Sequence, residues 1–212
     1  MKLYTYFRSS ASYRVRIALH LKNIPFESTY INLRQNDQLS ADYTSLNPQQ
    51  LVPTLIDDGK TLTQSLAIID YLEQKHPTPA LLPKDSFAQA KVKAFALAIA
   101  ADLHPLNNLR TMTYLSTDMG VTQEQKNKWY QHWLEVTFTA LEKQIFHPTS
   151  IFCFGNELTL ADVCLIPQVF NALRFNHPME NYPTLKRIYD HCLTIPAVYK
   201  ASPEQQEDFN NS

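Results

Sequence analysis

The residues with the clearest capacity for chemistry lie near the N-terminus, in Ser9-Ser10-Ala11-Ser12. The pattern around them predicts a strand over residues 3–7 and a helix over residues 13–21, with the hydroxyls at the helix start. A helix start offers unpaired N–H groups and the positive end of the helix dipole, which suit a thiolate, carboxylate or phosphate. The stretch predicts an anion site, unless Ser9 only caps the helix.

The segment from Tyr6 to Leu19, YFRSSASYRVRIAL, resembles the glutathione-binding signature of zeta-class glutathione transferases, a family that includes maleylacetoacetate isomerases. Three further segments fit the same family in the same order, so the resemblance covers nearly the whole chain. It implies that glutathione is the cofactor and that Ser9, or Ser10, stabilises its thiolate, with Arg8 as a cation beside the site.

Two of these segments fit the glutathione-binding half of the family. In NPQQLVPTL the resemblance implies a cis Val52–Pro53 bond and a main-chain hydrogen bond from Val52 to glutathione; an ordinary proline at a strand entry is the alternative. In QSLAIIDYL, Gln64 and Ser65 open a helix and are implied to hold the γ-glutamyl carboxylate. Gln38, in the loop after the second predicted strand, matches a residue that touches the glycyl end of the tripeptide.

The later part of the chain supplies the remaining candidates. By resemblance, His104, Asn108 and Arg110 approach glutathione, although a lone His104 is more often structural. Arg174, near the end of the helix containing QVFNALRF, matches an arginine on the substrate side in this family; a partner of the helix dipole is the alternative. Arg174 and Arg8 would present two guanidinium groups, which suit a substrate with two carboxylates.

The resemblance implies glutathione-dependent cis-trans isomerisation of maleylacetoacetate to fumarylacetoacetate in tyrosine and phenylalanine breakdown, by a cytoplasmic homodimer. Ala11 stands where the family usually has cysteine, which keeps open a maleylpyruvate isomerase acting on a shorter diacid. Conjugation or dehalogenation by glutathione is a third enzymatic possibility. A non-catalytic interaction protein of the same fold is the alternative from another class; the retained serines and Gln64 argue against it.

Composition and charge restrict the partners. With 19 Lys and Arg against 20 acidic residues, the formal net charge is −1, which gives no general attraction to nucleic acid or anionic lipid. No stretch reaches the roughly 18 apolar residues of a membrane span, and the N-terminus does not resemble a signal peptide. The three cysteines, Cys153, Cys164 and Cys192, are an odd number without a CxxC pair. We therefore expect reduced thiols, no metal site and a cytoplasmic location.

The first part of the chain alternates strand and helix patterns. Extended segments are predicted at 3–7, 26–31, 52–56 and 61–63, and helical segments at 12–21, 41–46 and 65–76. Asp57-Asp58-Gly59-Lys60 between the last two strands is typical of a hairpin turn. This order predicts an α/β thioredoxin-like domain over residues 1–78, followed by a proline-rich linker over 79–85.

Beyond the linker the patterns are helical, which predicts an all-α domain over residues 86–212 and, by resemblance, the glutathione transferase fold. Helices are expected at 86–103, 105–116, 122–145, 160–175 and 183–193. Thr159-Leu160-Ala161-Asp162 forms a capping-box pattern, which has a role in folding rather than in chemistry. The polar residues 203–212 are predicted to form a frayed tail.

Overall fold

The structure, a computed structural model, describes residues 1–145 and 150–209. The chain forms two compact units, Met1–Ala80 with Leu193–Ser212, and Leu81–Cys192. The boundary between them falls inside the predicted linker over 79–85. Leu81 already belongs to the second unit, because it is buried and its carbonyl accepts a hydrogen bond from the Leu160 N–H at 2.8 Å.

The first unit contains a mixed four-stranded sheet in the order β2–β1–β3–β4. The strands are β1 Lys2–Thr5, β2 Glu27–Tyr30, β3 Thr54–Asp57 and β4 Lys60–Thr63. β1 runs parallel to β2 and antiparallel to β3, which is antiparallel to β4. Leu3 and Leu55 lie opposite each other on the two central strands and are fully buried, so the apolar core is centred on β1 and β3.

The turn between β3 and β4 is the predicted hairpin. Its two central residues, Asp58 and Gly59, have φ angles of 48° and 74°. Positive φ at both central positions is the requirement of a type I′ turn, whose twist matches that of the flanking strands. The prediction from Asp-Gly is confirmed.

Three helices complete the α/β part of this unit: α1 Ser10–Leu21, α2 Ala41–Leu46 and α3 Ser65–Lys75. α1 packs against α3. Beyond the end of α1, the Lys22 ammonium donates to the carbonyls of His76 and Pro79 at 2.7 and 2.8 Å, and it pairs with Glu73 at 2.7 Å. The C-terminal ends of α1 and α3 are thereby fixed to each other.

The described part of the second unit is helical. Its helices are α4 Ser86–Leu97, α5 His104–Asn107, α6 Leu109–Thr117, α7 Gln123–Ile145, α8 Leu160–Arg174 and α9 Pro183–Leu193. Every residue of α8 from Leu160 to Val169 is buried. A helix without a polar face lies in the core, and α8 packs against α4 there. The predicted order, an α/β part followed by a helical part, is confirmed.

Two predicted helices are interrupted. The helix predicted over 86–103 changes at Leu97 into a π-helical segment, Ala98–Leu103. The helix predicted over 105–116 breaks at Asn108, whose ψ is 165° and whose side chain accepts the Thr111 N–H at 3.0 Å. Asparagine is a favoured N-cap because its short side chain replaces the missing backbone partner, so Asn108 separates α5 from α6.

The capping box at the start of α8 is confirmed. Asp162 Oδ2 accepts the Thr159 N–H at 2.8 Å and the Thr159 hydroxyl at 3.0 Å. Its other oxygen accepts the Cys153 N–H at 2.8 Å. Burial raises the pKa of Asp162, although these hydrogen bonds oppose the shift. One buried carboxyl therefore joins the first turn of α8 to the segment that precedes it.

The chain after α9 forms α10 Pro196–Ala201 and two 3-10 turns, Pro203–Gln205 and Glu207–Phe209. α10 packs against α1 in the first unit. The expected frayed tail is wrong for residues 203–209, because Asp208 and Phe209 both contact Phe7. One carboxylate and one ring make these contacts, which a polar composition does not reveal. Residues 210–212 of the predicted tail lie outside the described residues.

No helix in the two described stretches, 1–145 and 150–209, is both long enough and apolar enough to cross a membrane.

Candidate active site

The register of the sheet brings four segments with predicted site residues to one edge. Tyr4 on β1 pairs with Thr54 at the start of β3, and Thr54 pairs with Thr63 at the end of β4. Thr5 pairs with Tyr30 at the end of the parallel strand β2. The segments after β1, β2 and β4 and the segment before β3 therefore leave the sheet on the same side. They carry Ser9 and Ser10, Gln38, Val52, and Gln64 and Ser65.

Ser9 is the N-cap of α1. Its Oγ accepts the Ser12 N–H at 3.2 Å, and its backbone is extended, with φ −71° and ψ 114°. Because the oxygen accepts in this contact, the hydroxyl proton can be donated elsewhere. The first turn of α1 contains no acidic side chain, so nothing within it opposes an anion. Ser9 is half-buried, whereas Ser10 is only 4% exposed.

Two arginines on α1, which sequence reasoning left without a role, are buried. The Arg16 guanidinium donates to the carbonyls of Tyr6, Phe7 and Ala201 at 3.3, 3.1 and 3.0 Å, and to the Thr5 hydroxyl at 3.0 Å. Burial lowers its pKa to about 10, so it remains a cation at neutral pH. The sequence did contain a signal for this role, because two arginines stand in the apolar run RVRIAL. Charges are rarely buried without partners, so arginines in such a run indicate buried hydrogen-bonding partners.

Gln64 and Ser65 open α3 beside α1. Gln64 has a φ of 69°, an unusual value for a residue with a side chain, and its amide donates to Gln49 Oε1 at 2.9 Å. Ser65 is 5% exposed, and its Oγ accepts a hydrogen bond from the Arg14 guanidinium at 3.3 Å. Arg14 therefore ties α1 to the start of α3. A backbone held outside its common conformations is a frequent feature of functional sites.

The Val52–Pro53 peptide bond is cis, as predicted. The neighbouring Leu51 carbonyl accepts hydrogen bonds from the Asn47 amide at 2.7 Å and the Tyr43 hydroxyl at 2.6 Å, so α2 and the residue after it hold this segment. Within residues 1–145 and 150–209, the Val52 amide and carbonyl make no hydrogen bond. The roles of Tyr43 and Asn47 were missed, because no motif marks them.

Gln38 and Arg8 complete the predicted residues of the first unit. Gln38 lies on a 3-10 turn, Asp37–Leu39, and its Oε1 is buried without a hydrogen-bond partner in the described part of the chain. The Arg8 guanidinium lies 4.9 Å from the centre of the Phe7 ring, which limits its mobility beside Ser9. Gln38 therefore offers a hydrogen-bond acceptor and Arg8 offers a cation, both on segments that leave the sheet at this edge.

The other four predicted residues belong to the second unit. His104 begins α5, Asn108 caps α6, and Arg110 is exposed on α6. Arg174 is the last residue of α8; its guanidinium lies 4.5 Å from the centre of the Phe175 ring and donates to Asn171 Oδ1 at 3.3 Å. Arg174 thus presents an exposed, stacked guanidinium at the end of a buried helix.

The three cysteines are buried, and no disulfide joins them. Burial raises the pKa of the Cys153 and Cys192 thiols, which disfavours the thiolate. In the described ranges no group of three or more His, Cys, Asp or Glu side chains is arranged to hold a metal ion. The chemistry that this arrangement supports is anion binding at the first turns of α1 and α3.

Comparison with known proteins agrees with this geometry. Residues 3–80 match the family model "Glutathione S-transferase, N-terminal domain", and residues 105–201 match "Glutathione S-transferase, C-terminal domain". A probable maleylacetoacetate isomerase of Vibrio cholerae is 48% identical over 208 residues, 97% of each chain.

Two solved structures are similar throughout. The holo structure of a maleylpyruvate isomerase, described as a bacterial zeta-class glutathione S-transferase, has a TM-score of 0.95 and 40% identity, with 98% of this chain and 99% of that chain covered. The maleylacetoacetate isomerase of Methylobacterium extorquens AM1, solved with malonate and glutathione, has a TM-score of 0.93 and 37% identity, with coverage of 97% and 98%. Since both halves of the fold match and the alignments span nearly the whole sequence, this chain belongs to the zeta class of the glutathione S-transferase family.

Proposed function

We propose that this protein is a glutathione-dependent cis-trans isomerase that converts maleylacetoacetate to fumarylacetoacetate, a step of tyrosine and phenylalanine breakdown. The observation that carries the proposal is the arrangement of Ser9 and the first turn of α3 at one edge of the sheet. The similarity to maleylacetoacetate isomerases over almost the entire chain supports it.

The residues at this edge fit glutathione. The tripeptide carries a thiol, two carboxylates, an ammonium and two amides. The starts of α1 and α3 suit the thiolate and a carboxylate, the main chain of Val52 suits an amide, and the orphaned Oε1 of Gln38 suits a donor. Ser65 and Gln64 would hold the γ-glutamyl carboxylate, while His104, Asn108 and Arg110 would complete the binding.

Ser9 and α1 would keep the sulfur ionised. A free thiol has a pKa of about 8.5, and lowering it by two units requires about 2.7 kcal/mol in favour of the anion. A hydrogen bond to a charged group contributes about 1.5 to 3 kcal/mol, and the start of a helix adds about 0.3 to 1 kcal/mol. The half-buried Ser9 hydroxyl is therefore sufficient together with α1, and Ser10 has a supporting role.

Bound glutathione supplies the nucleophilic sulfur that adds to the double bond, permits rotation and leaves again unchanged. The chain contributes charge rather than a nucleophile of its own. Arg8 would stabilise the negative charge that develops on the substrate, and Arg174 would bind a substrate carboxylate in a bidentate manner. Ala11 has only a methyl group, so no protein thiol assists at that position.

Maleylpyruvate isomerase is the second candidate, supported by the TM-score of 0.95 to such an enzyme. Both substrates are unsaturated diacids, and the shorter one needs the same positive charges to bind its carboxylates.

We also infer that the protein is a homodimer in the cytoplasm. Buried thiols without disulfides suit a reducing compartment, and sedimentation of the purified protein tests the dimer.

The experiment is to follow isomerisation of maleylacetoacetate and of maleylpyruvate by absorbance, with and without glutathione. We expect maleylacetoacetate to be isomerised when glutathione is present and not when it is absent. A Ser9→Ala variant should lose about 10- to 100-fold in kcat through a higher thiol pKa, and Ser10→Ala should lose less. Glutathione binding without turnover of either diacid would refute the isomerase, and failure to bind immobilised glutathione would refute the whole proposal.

A further inference from the structure

The chain just before Ser9 forms a tight turn. The Ser9 N–H donates to the Tyr6 carbonyl at 3.0 Å, so Phe7 and Arg8 are the two central residues of the turn. Any displacement of these two residues moves Ser9 and the start of α1 with them. The groups that hold the turn therefore decide where the Ser9 hydroxyl lies.

One hydrogen bond to this turn comes from the other end of the chain. Asp208 Oδ2 accepts the Phe7 N–H at 2.9 Å, although the two residues are 201 positions apart in sequence. The Phe209 ring meets the Phe7 ring edge to face, with centroids 5.6 Å apart. Asp208 thus supplies the acceptor that a central amide of the turn requires.

Arg16 holds the same turn from the side of α1. Its guanidinium donates to the carbonyls of Tyr6 and Phe7, and also to the Ala201 carbonyl at the end of α10. The turn and the C-terminal segment therefore share one buried cation. The charged and titratable groups that act on Asp208 are Arg16, which favours its carboxylate, and Glu207, which opposes it. Tyr30 on β2 also faces Asp208 and Glu207.

We propose that Asp208 is a positioning residue for the thiol-binding turn: by accepting the Phe7 N–H, it fixes the Ser9 hydroxyl where the glutathione sulfur is bound. This inference rests on the proposed function, because it takes Ser9 as the group that stabilises the thiolate. Asp208 acts through Phe7 and the turn. The C-terminal segment is then part of the site's support, although a polar tail would be expected to be dispensable.

The test compares full-length Asp208→Ala, Asp208→Asn and Glu204→Ala with the unaltered protein. Asparagine retains an oxygen that accepts the Phe7 N–H, and alanine does not. Glu204 is an exposed acidic residue of the same segment and serves as the control. Three quantities are measured: the pKa of bound glutathione from the pH dependence of thiolate absorbance, the isomerase kcat and KM, and hydrogen exchange of the Phe7 amide.

In Asp208→Ala we expect the pKa of the bound thiol to rise by about one unit, and kcat below that pKa to fall about tenfold. The KM for glutathione should change less than about twofold, because Gln64 and Ser65 are untouched. Exchange of the Phe7 amide should accelerate at least about tenfold. Asp208→Asn should restore kcat to within about threefold, and Glu204→Ala should match the unaltered protein. If Asp208→Ala does not fold, Asp208→Ser replaces it, since its hydroxyl is too short to reach the amide.

An unchanged thiol pKa in a folded alanine or serine variant overturns the inference, even if stability falls. Equal losses in the alanine and asparagine variants also overturn it, because the charge would then matter rather than the acceptor. Both results leave the proposed function intact if the unaltered protein isomerises its substrate. An unaltered protein that binds no glutathione would instead remove the proposed function, and this inference with it.

Discussion

The Arg14 guanidinium on α1 donates a hydrogen bond to the Ser65 Oγ at the first residue of α3, at 3.3 Å. Arg14 is 1% exposed and Ser65 is 5% exposed, so the contact is buried. It joins α1, whose start is the proposed thiol site, to α3, whose start is the proposed site of the γ-glutamyl carboxylate. The positive charge of Arg14, hydrogen-bonded to Ser65, also makes the start of α3 more favourable for an anion.

The first prediction concerns this contact. Replacing Arg14 by lysine keeps the charge but removes the planar guanidinium that reaches Ser65. We expect the dissociation constant of glutathione to rise about tenfold, since a hydrogen bond to a charged group contributes about 1.5 kcal/mol or more. Titration calorimetry measures this change. The control is Arg187→Lys, at an exposed arginine of α9, and equal affinities in both variants would contradict the role of Arg14.

The second prediction distinguishes an effect on substrate binding from an effect on glutathione binding. Arg174 is exposed and stacked on Phe175, so its guanidinium is presented in a restricted orientation. Arg174→Lys should raise the KM for the diacid about tenfold, because lysine does not make the bidentate carboxylate contact. The KM for glutathione should stay within about twofold. Equal changes in both constants would argue that Arg174 acts at the glutathione site, and Arg187→Lys again provides the control.

The features that were predicted correctly are local in sequence. The Asp58-Gly59 turn and the capping box of Thr159 and Asp162 each depend on residues at most three positions apart. Short-range geometry is encoded in the residue types themselves, which explains why these elements were found. The cis bond at Val52 was expected only from the family resemblance.

The contacts that were not predicted are long-range. Asp208 reaches Phe7 across 201 positions, and Arg14 reaches Ser65 across 51. A composition or periodicity pattern carries no information about such pairs, because the fold alone brings them together. Asn108 is a different case, because asparagine is a favoured N-cap and the signal for a helix break lies in that residue type itself.

The third prediction concerns stability. Asp162 is fully buried and accepts hydrogen bonds from two backbone amides and one hydroxyl. Asp162→Ala leaves these donors without an acceptor, and each unsatisfied donor costs about 1 to 3 kcal/mol. We expect the free energy of unfolding to fall by about 3 to 5 kcal/mol for Asp162→Ala and by about 1 kcal/mol for Thr159→Ala.

Urea denaturation at neutral pH measures these changes. Asp190→Ala is the control, since its carboxylate is 54% exposed and pairs with Lys186 at the surface. That variant should lose less than about 0.5 kcal/mol. A loss for Asp162→Ala no larger than that for Asp190→Ala would show that its hydrogen bonds contribute no net stability.

The fourth prediction is that acid destabilises the fold through two histidines. Burial lowers the pKa of His20 to about 4, helped by the positive charges of Lys200 and Arg16. Burial also lowers the pKa of His177, which hydrogen-bonds Gln131. A lowered pKa means that the unfolded chain binds more protons, so the stabilisation is complete above about pH 6.5 and is lost as the pH falls.

The free energy of unfolding should therefore decrease between pH 6.5 and 4, by at most about 1.4 kcal/mol per pH unit for each histidine. Asp162 and Asp208, whose pKa values are raised, work in the opposite direction, so the contribution of the histidines is isolated by substitution. His20→Gln and His177→Gln should each flatten the pH dependence measured by urea denaturation, and the double variant should flatten it most. If the variants retain the slope of the unaltered protein, protonation of other groups is responsible, and the two histidines bind protons as readily in the folded protein as in the unfolded chain.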